Sequence, residues 1–370
     1  MDDIRYWVGF NQVYGIGPVR LGKLLQYFGS AEVAWRASAL DLARAGLERK
    51  PIESLLATRE RINLDAEMHR IAEAEVEVLT LQDDRYPARL RHIDAAPPVL
   101  YVKGSLLPAD EWAVAVVGTR HAKSYGREVT RYLAGELARN HITVVSGLAL
   151  GIDAEAHRAA MAAGGRTIAV LGSGIDVIYP YEHAALAREV TRAGAVLSEY
   201  PLGTKPDRRN FPQRNRIISG LALGTLVTQA GEGSGALFTA GFALEQGREV
   251  FAVPGSILDR GCGGTNRLIQ QGEAKLVRKP EDILEELNLT MVSHQAEMRT
   301  VVPANSTEAL LLQHLSDEPL HVDELRQACQ LPVAQVSGAL ALMELKGLVR
   351  QTGSMFYALA HEDGVEYRLD

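Results

Sequence analysis

Val114-Ala115-Val116-Val117-Gly118-Thr119-Arg120 reads as a strand that runs directly into a tight polar turn. An unbroken run of β-branched and small apolar residues leaves no polar face, which suits a parallel sheet covered on both sides. Five similar runs follow: Ile142 to Val145, Thr167 to Leu171, Ala195 to Leu197, Thr225 to Thr228, and Val250 to Val253. Their starts lie roughly 25 to 30 residues apart, about one βαβ unit, with helical patterns between them. Most end in loops of glycine and small polar residues: Gly118-Thr119-Arg120, Ser146-Gly147-Leu148-Ala149, Gly172-Ser173-Gly174 and Gly231-Glu232-Gly233-Ser234-Gly235. The expected fold is α/β, an extended Rossmann-like and mostly parallel sheet. Ligands of such sheets bind beyond the carboxyl ends of the strands. That rim offers backbone N–H groups, helix N-termini and arginines, which suits phosphate.

The 370 residues are 46% hydrophobic and 23% charged, an ordinary balance for a soluble globular chain of two or three domains. Cys262 and Cys329 lie far apart and form no metal spacing, so a reduced, cytoplasmic protein without a metal or cofactor is expected. Met1-Asp2-Asp3 opens no basic-then-apolar leader, and no apolar run is long enough for a bilayer, so no membrane partner is expected. The net charge of −7 argues against a nucleic-acid partner in bulk. Locally the balance reverses: Lys205, Arg208, Arg209, Arg214 and Arg216 are opposed within their stretch only by Asp207. A local patch outweighs the global sum when a polyanion is the partner.

Outward from the sheet, residues 1–64 read as a helical domain. Trp7, Val8, Phe10 and Val13 make one stripe, and Leu21, Leu24, Leu25, Tyr27 and Phe28 follow Gly15-Ile16-Gly17-Pro18. A helix starting near Pro18 after a Gly-x-Gly turn resembles a helix-hairpin-helix, whose amides can face a phosphate. A plain αα-hairpin that only packs fits equally well. The core is placed at 65–287, with Glu77 to Leu81 and Val99 to Val102 as added edge strands. Residues 288–306 lack periodicity and read as a linker. Residues 307–370 read as a winged helix: three helices and a hairpin around Gly353-Ser354. Its third helix carries Gln335, Ser337, Gly338, Met343, Glu344 and Lys346 and is not basic, which disfavours sequence-specific duplex reading.

Arg120 at a strand end reads as a phosphate contact. In Phe211-Pro212-Gln213-Arg214-Asn215-Arg216, Asn215 reads as an N-cap, with Ile217, Ile218 and Leu221 as the apolar face. Arg214 then lies outside the helix and faces the groove, while Arg216 takes a different job, because residues two apart share no helix face. Gly233-Ser234-Gly235 reads as an anion cradle before a helix. It is no dinucleotide fingerprint, because Val250 to Val253 ends at Pro254 without an acid for a ribose. Asp153 and His157, i and i+4, read as a local hydrogen-bonded pair beside Ser146, and no carboxylate cluster for two-metal chemistry is evident.

These pieces are similar to those of the DNA processing protein A family, DprA, also called Smf. The matching stretches are Val116-Val117-Gly118-Thr119-Arg120, Ser146-Gly147-Leu148-Ala149-Leu150-Gly151-Ile152-Asp153, Ala156-His157, Tyr179-Pro180, Ser198-Glu199-Tyr200-Pro201, Phe211 through Ile218, Ser234-Gly235 and Val253-Pro254-Gly255. Their joint order and spacing carry the resemblance. It implies a DNA-binding mediator rather than an enzyme. Such a protein binds and protects incoming single-stranded DNA in natural transformation, loads RecA recombinase and forms a homodimer. It also implies an N-terminal domain of the sterile-alpha-motif or hairpin type and a C-terminal winged helix. By resemblance the DNA groove takes Arg120, Arg214, Arg216, Ser146, Gly147, Ser234 and Gly235; the turns and loops read above add Gly118, Thr119, Asn215 and Gly233, and the basic stretch adds Lys205. Tyr181 stands where many members have a basic residue and would stack on a base instead. Gly272-Glu273-Ala274 replaces the usual Gly-Ala. Dimer contacts are expected among Ile257, Leu258, Leu268 and Ile269. The alternative is a phosphoribohydrolase-like Rossmann enzyme using Ser234, Gly235, Thr239 and Glu245.

Overall fold

The computed structural model describes residues 4–289, 306–315, 319–345, 349–353 and 355–359. The chain forms two compact units, the first ending at Leu289. Its centre is a nine-stranded sheet of order β1-β2-β6-β5-β4-β3-β7-β8-β9. The strands are β1 (Glu77–Thr80), β2 (Val99–Gly104), β3 (Ala113–Val117), β4 (Thr143–Ser146), β5 (Thr167–Val170), β6 (Gly194–Ser198), β7 (Gly224–Val227), β8 (Glu249–Ala252) and β9 (Lys275–Leu276). From β6 across to β9 all neighbours run parallel. The edge strands β1 and β2 are antiparallel additions. All six expected core strands are present, and both edge strands join the sheet where the connecting segment was expected to put them.

Each central strand is buried on both faces, which is why its sequence does not alternate. Ala169, Leu171 and Val196 belong to one apolar cluster, together with Leu186 and Val190 of the helix Ala184–Ala193. Ile168, Val170, Ala195 and Leu197 belong to another, with Ile217 and Ile218 of the helix Asn210–Gly220 and Ala240 of the helix Ala236–Glu245. The period of two along a strand assigns successive residues to opposite clusters.

The N-terminal helices do not stand apart from this core. Tyr6, Trp7, Phe10, Val13, Ile16 and Leu24 lie in the same cluster as Val99 and Tyr101 of β2. The hairpin forms as its sequence suggests. Gly15 adopts φ +85, and the next helix runs Pro18–Phe28.

The second unit carries helices Ser306–His314, Val322–Cys329 and Val333–Leu345 and a three-stranded sheet of Leu320–His321, Val349–Gly353 and Phe356–Leu359. That is the expected winged helix. Met343, named for its third helix, is buried in the unit's own core with Leu340 and Val336. Lys346 and nearly all of the expected linker lie outside the described residues. Among the described residues no helix is long and apolar enough to cross a membrane.

Asp153 and His157 do not pair. His157 Nδ1 lies 2.7 Å from Thr167 Oγ1, whose own proton goes to the Val144 carbonyl at 2.8 Å. The imidazole must therefore donate from Nδ1. Its Nε2 is buried with no hydrogen-bond partner, so a second proton would meet no acceptor. Burial, reinforced by repulsion from His183, Arg214 and Arg158, pulls His157 down to about 3. The unfolded imidazole titrates at about 6.5. A depressed folded value gives stability that is complete above the unfolded value and is lost as pH falls toward the folded one. Urea unfolding in a pH series should show stability falling from about pH 6.5 toward pH 3, with a shallower limb in His157→Gln. An identical limb in the variant would assign the titration to another group.

Candidate nucleic-acid interface

The chain lays β3, β4, β5 and β6 down in one direction, then returns to the other side of β3 for β7, β8 and β9. The strand order therefore reverses at β3. Loops leaving the carboxyl ends on either side splay apart there and open a crevice. Thr119 N–H donates to the Gln229 carbonyl at 2.8 Å, and Ile152 N–H donates to the Thr119 carbonyl at 3.2 Å. Gly151 has φ +78, and a Cβ there would lie 2.3 Å from the Thr119 oxygen, so only glycine lets the two loops approach this closely.

The basic stretch folds differently from its reading as an Asn215-capped helix. The helix begins at Asn210, where the Asp207 carboxylate accepts the Arg209 N–H at 2.8 Å and shapes the entering turn. Pro212 fits because the N–H it lacks would find no acceptor in a first turn. Asn215 is thus mid-helix. Its amide oxygen accepts from Arg214 Nε at 3.3 Å, and its amide nitrogen reaches the Gly235 carbonyl at 3.4 Å.

Arg214 accordingly lies under the rim rather than over it. It is only 4% exposed, and Nη1 donates to the carbonyls of Gly147, at 2.7 Å, and Val170. A Cβ on Gly147 would lie 2.7 Å from the guanidinium carbon. Burial pulls Arg214 down to about 10, against the attraction of Asp153. The buried Asp153 carboxyl is pushed up by desolvation, with Arg214 opposing, and accepts the N–H groups of Gly147 and Ala149 at 3.2 and 3.4 Å. Arg216 turns away, as its spacing requires, and grips Glu199 with two nitrogens at 3.0 and 2.6 Å.

Above this floor lies a cavity of about 870 Å³ lined by Gly118, Thr119, Arg120, Arg214, Asn215, Gly233, Ser234 and Gly235. These eight of the residues expected at the DNA groove share this cavity. Arg120 is exposed and lies 5.3 Å from the Phe211 ring centroid, with Tyr179 tilted against the same ring at 5.6 Å. Gly147 lines an adjoining hollow with Arg120, Tyr179 and Phe211. Among the described residues no carboxylate pairs with Arg120, Arg208 or Lys205.

Other named residues fall elsewhere. Ser146 is buried, and its hydroxyl donates to the Val116 carbonyl at 2.7 Å. Lys205 and Tyr181 are exposed but do not line the cavity. Leu268 is core and Ile269 packs against it, whereas Ile257 and Leu258 are about nine-tenths exposed. Thr239 lines the cavity, but Glu245 ends its helix exposed and away from it. His121 and Phe238 line the cavity and went unnoticed in the sequence, as did the aromatic role of Phe211. The Tyr-Pro and Phe-Pro dipeptides were the available hint, since both hold an aromatic ring in a loop.

The sequence model of DNA recombination-mediator protein A matches residues 77–288, more than half of the chain. The protein Smf of Escherichia coli is 38% identical over 364 residues, covering 94% of both chains. The chain belongs to the DNA processing protein A family. A second model, the DprA winged helix domain, matches residues 295–354. The solved DNA processing protein A of Streptococcus pneumoniae superposes with a TM-score of 0.68 at 37% identity, covering 76% of this chain and 97% of that one. That of Helicobacter pylori, from a study of its single-stranded DNA binding mode, gives 0.53 at 29% identity, covering 58% and 96%. A DNA processing protein A core thus supplies the rim, and Arg214, Asn215 and Arg216 are divided between floor, loop tie and buried ion pair.

Two arginines of this rim should therefore behave oppositely in denaturation. Arg214→Ala strands two carbonyls and removes the charge facing Asp153, and should cost about 3 kcal/mol. Arg120→Ala, at an exposed position, should stay within about 0.5 kcal/mol of the parent. Equal losses in chemical denaturation would refute this division.

Proposed function

We propose that this chain binds single-stranded DNA along the β3 rim without reading its sequence, protects the incoming strand in the cytoplasm during natural transformation, and loads RecA recombinase onto it. The observation that carries this reading is the unpaired Arg120 stacked over Phe211 beside bare glycine loops. A cation without a carboxylate partner, an aromatic face and free amides match the three sequence-independent features of a strand: phosphate, base and backbone. Arg208, which lines the cavity, and Lys205 next to it extend the positive field. Gly233 and Gly235 add amides at the start of the helix Ala236–Glu245, while the Ser234 N–H is held by the Gly231 carbonyl at 3.0 Å. The binding mode studied in the Helicobacter pylori relative supports the same partner for this chain.

A homodimer belongs to this proposal. Ile257 and Leu258, on the loop that follows β8, are about nine-tenths exposed, and Leu276 on the edge strand β9 is partly uncovered. An apolar group at a sheet edge is the kind of surface a second copy would cover. The phosphoribohydrolase alternative loses its carboxylate, because Glu245 does not reach the cavity.

Binding to a mixed-sequence single strand should weaken steeply with salt. Each phosphate contact contributes about 0.7 to the log–log slope. Arg120→Ala should lower affinity at every salt concentration and reduce the slope by about 0.7. A salt titration with unchanged affinity and slope would remove the rim from consideration.

A further inference from the structure

The N-terminal hairpin is held against the exit of the rim. Asn11, the last residue of the first helix, donates its side-chain amide to the Glu199 carbonyl at 2.9 Å, at the start of the loop that carries the basic stretch. The turn that follows is anchored from inside. Val13 and Ile16 are 4% and 7% exposed and sit in the shared apolar cluster. Between them Tyr14 points outward, 89% exposed. An aromatic ring kept in water by a turn whose flanking side chains are fixed gains nothing from packing, so its apolar face is available to a ligand.

The contact of Asn11 with Glu199 brings the turn that carries Tyr14 to the loop holding the basic stretch. The exposed Arg209 guanidinium is raised by its hydrogen bond and attraction to Asp207, and the Tyr14 phenol contributes in the same direction. Arg209 follows Arg208, which lines the cavity, and Lys205 lies just before Asp207 on the same loop. On this loop Asp207 is already bound to Arg209 at 3.0 Å, and at the Tyr14 turn Arg20 holds both the Gly15 carbonyl and Glu48. The next acids are engaged elsewhere: Glu199 by Arg216, and Asp176 by the Gly203 N–H.

We infer that single-stranded DNA does not end at the cavity but continues over Lys205, Arg208 and Arg209 to the hairpin, where a base stacks on Tyr14. This rests on the proposed rim and adds a second platform to it. The first platform, Phe211 beneath Arg120, is separated from Tyr14 by a cationic loop, an alternation of ring and charge that a flexible polyanion with planar bases can follow. In this arrangement the N-terminal helices lengthen the track rather than read duplex DNA.

Oligothymidylates of about 6 and about 20 nucleotides separate the two platforms, because the shorter fills one groove and the longer spans both. With the full chain, Tyr14→Ala should bind the short strand like the parent and the long strand about five- to tenfold more weakly. Tyr14→Phe should restore long-strand binding, since stacking needs no hydroxyl. Arg120→Ala should weaken both lengths. Equal affinity of Tyr14→Ala and the parent for both lengths would overturn the extended path, as would an equal loss on both. Loss on the long strand alone, with Arg120→Ala unchanged on either length, would seat the strand on the hairpin without the rim and overturn it as well.

Discussion

A buried guanidinium sets the level of the whole rim. Arg214 ties the helix Asn210–Gly220 to the ends of β4 and β5 through the Gly147 and Val170 carbonyls. Those oxygens lie where strands stop and their ladders can no longer satisfy them, so they need a donor. A guanidinium supplies several donors in one plane, and Asp153 offsets part of the cost of desolvating its charge. The same contact explains why residue 147 is glycine. Any side chain there would occupy the space the guanidinium fills. With the floor fixed in this way, the loop after β3 lies on top and leaves Arg120 in solvent.

The arginines of the basic stretch then divide by depth. Arg214 is internal, Arg216 closes on Glu199, and Arg208 and Lys205 remain open. A net charge of −7 does not prevent a positive rim. Fields in a crevice follow the nearest unpaired charges, and low-dielectric walls concentrate them. Three acids near the crevice are already bound: Asp153 to backbone amides, and Asp207 and Glu199 to arginines.

The helices at the start of the chain complete the same body instead of decorating it. Their apolar residues merge with those of β2, β5 and β6 in one cluster. The hairpin turn is therefore positioned by core packing, which is a far stiffer constraint than a linker. An exposed ring on such a turn holds its place relative to the sheet.

Strand identity was legible because burial on both faces leaves a local mark: unbroken apolar runs, most of them followed by a glycine-containing loop. The rim loops were legible for the same reason, since a close approach or a positive φ is recorded directly as glycine. The winged helix could be read from its periodicity and its one hairpin. Depth was not legible. Arg120 and Arg214 look alike in the chain, and only packing buried one and exposed the other. Asn215 resembled a cap because nothing local revealed that Asp207 starts the helix earlier and that Pro212 fits its first turn. Leu268 and Ile257 are equally apolar letters, separated only by which neighbours arrived to cover them. Sequence by itself determined which elements form, because that depends on neighbours a few residues away, though not every end, as the helix Asn210–Gly220 shows. Tertiary structure decided which charges face water, because desolvation depends on atoms brought from far along the chain.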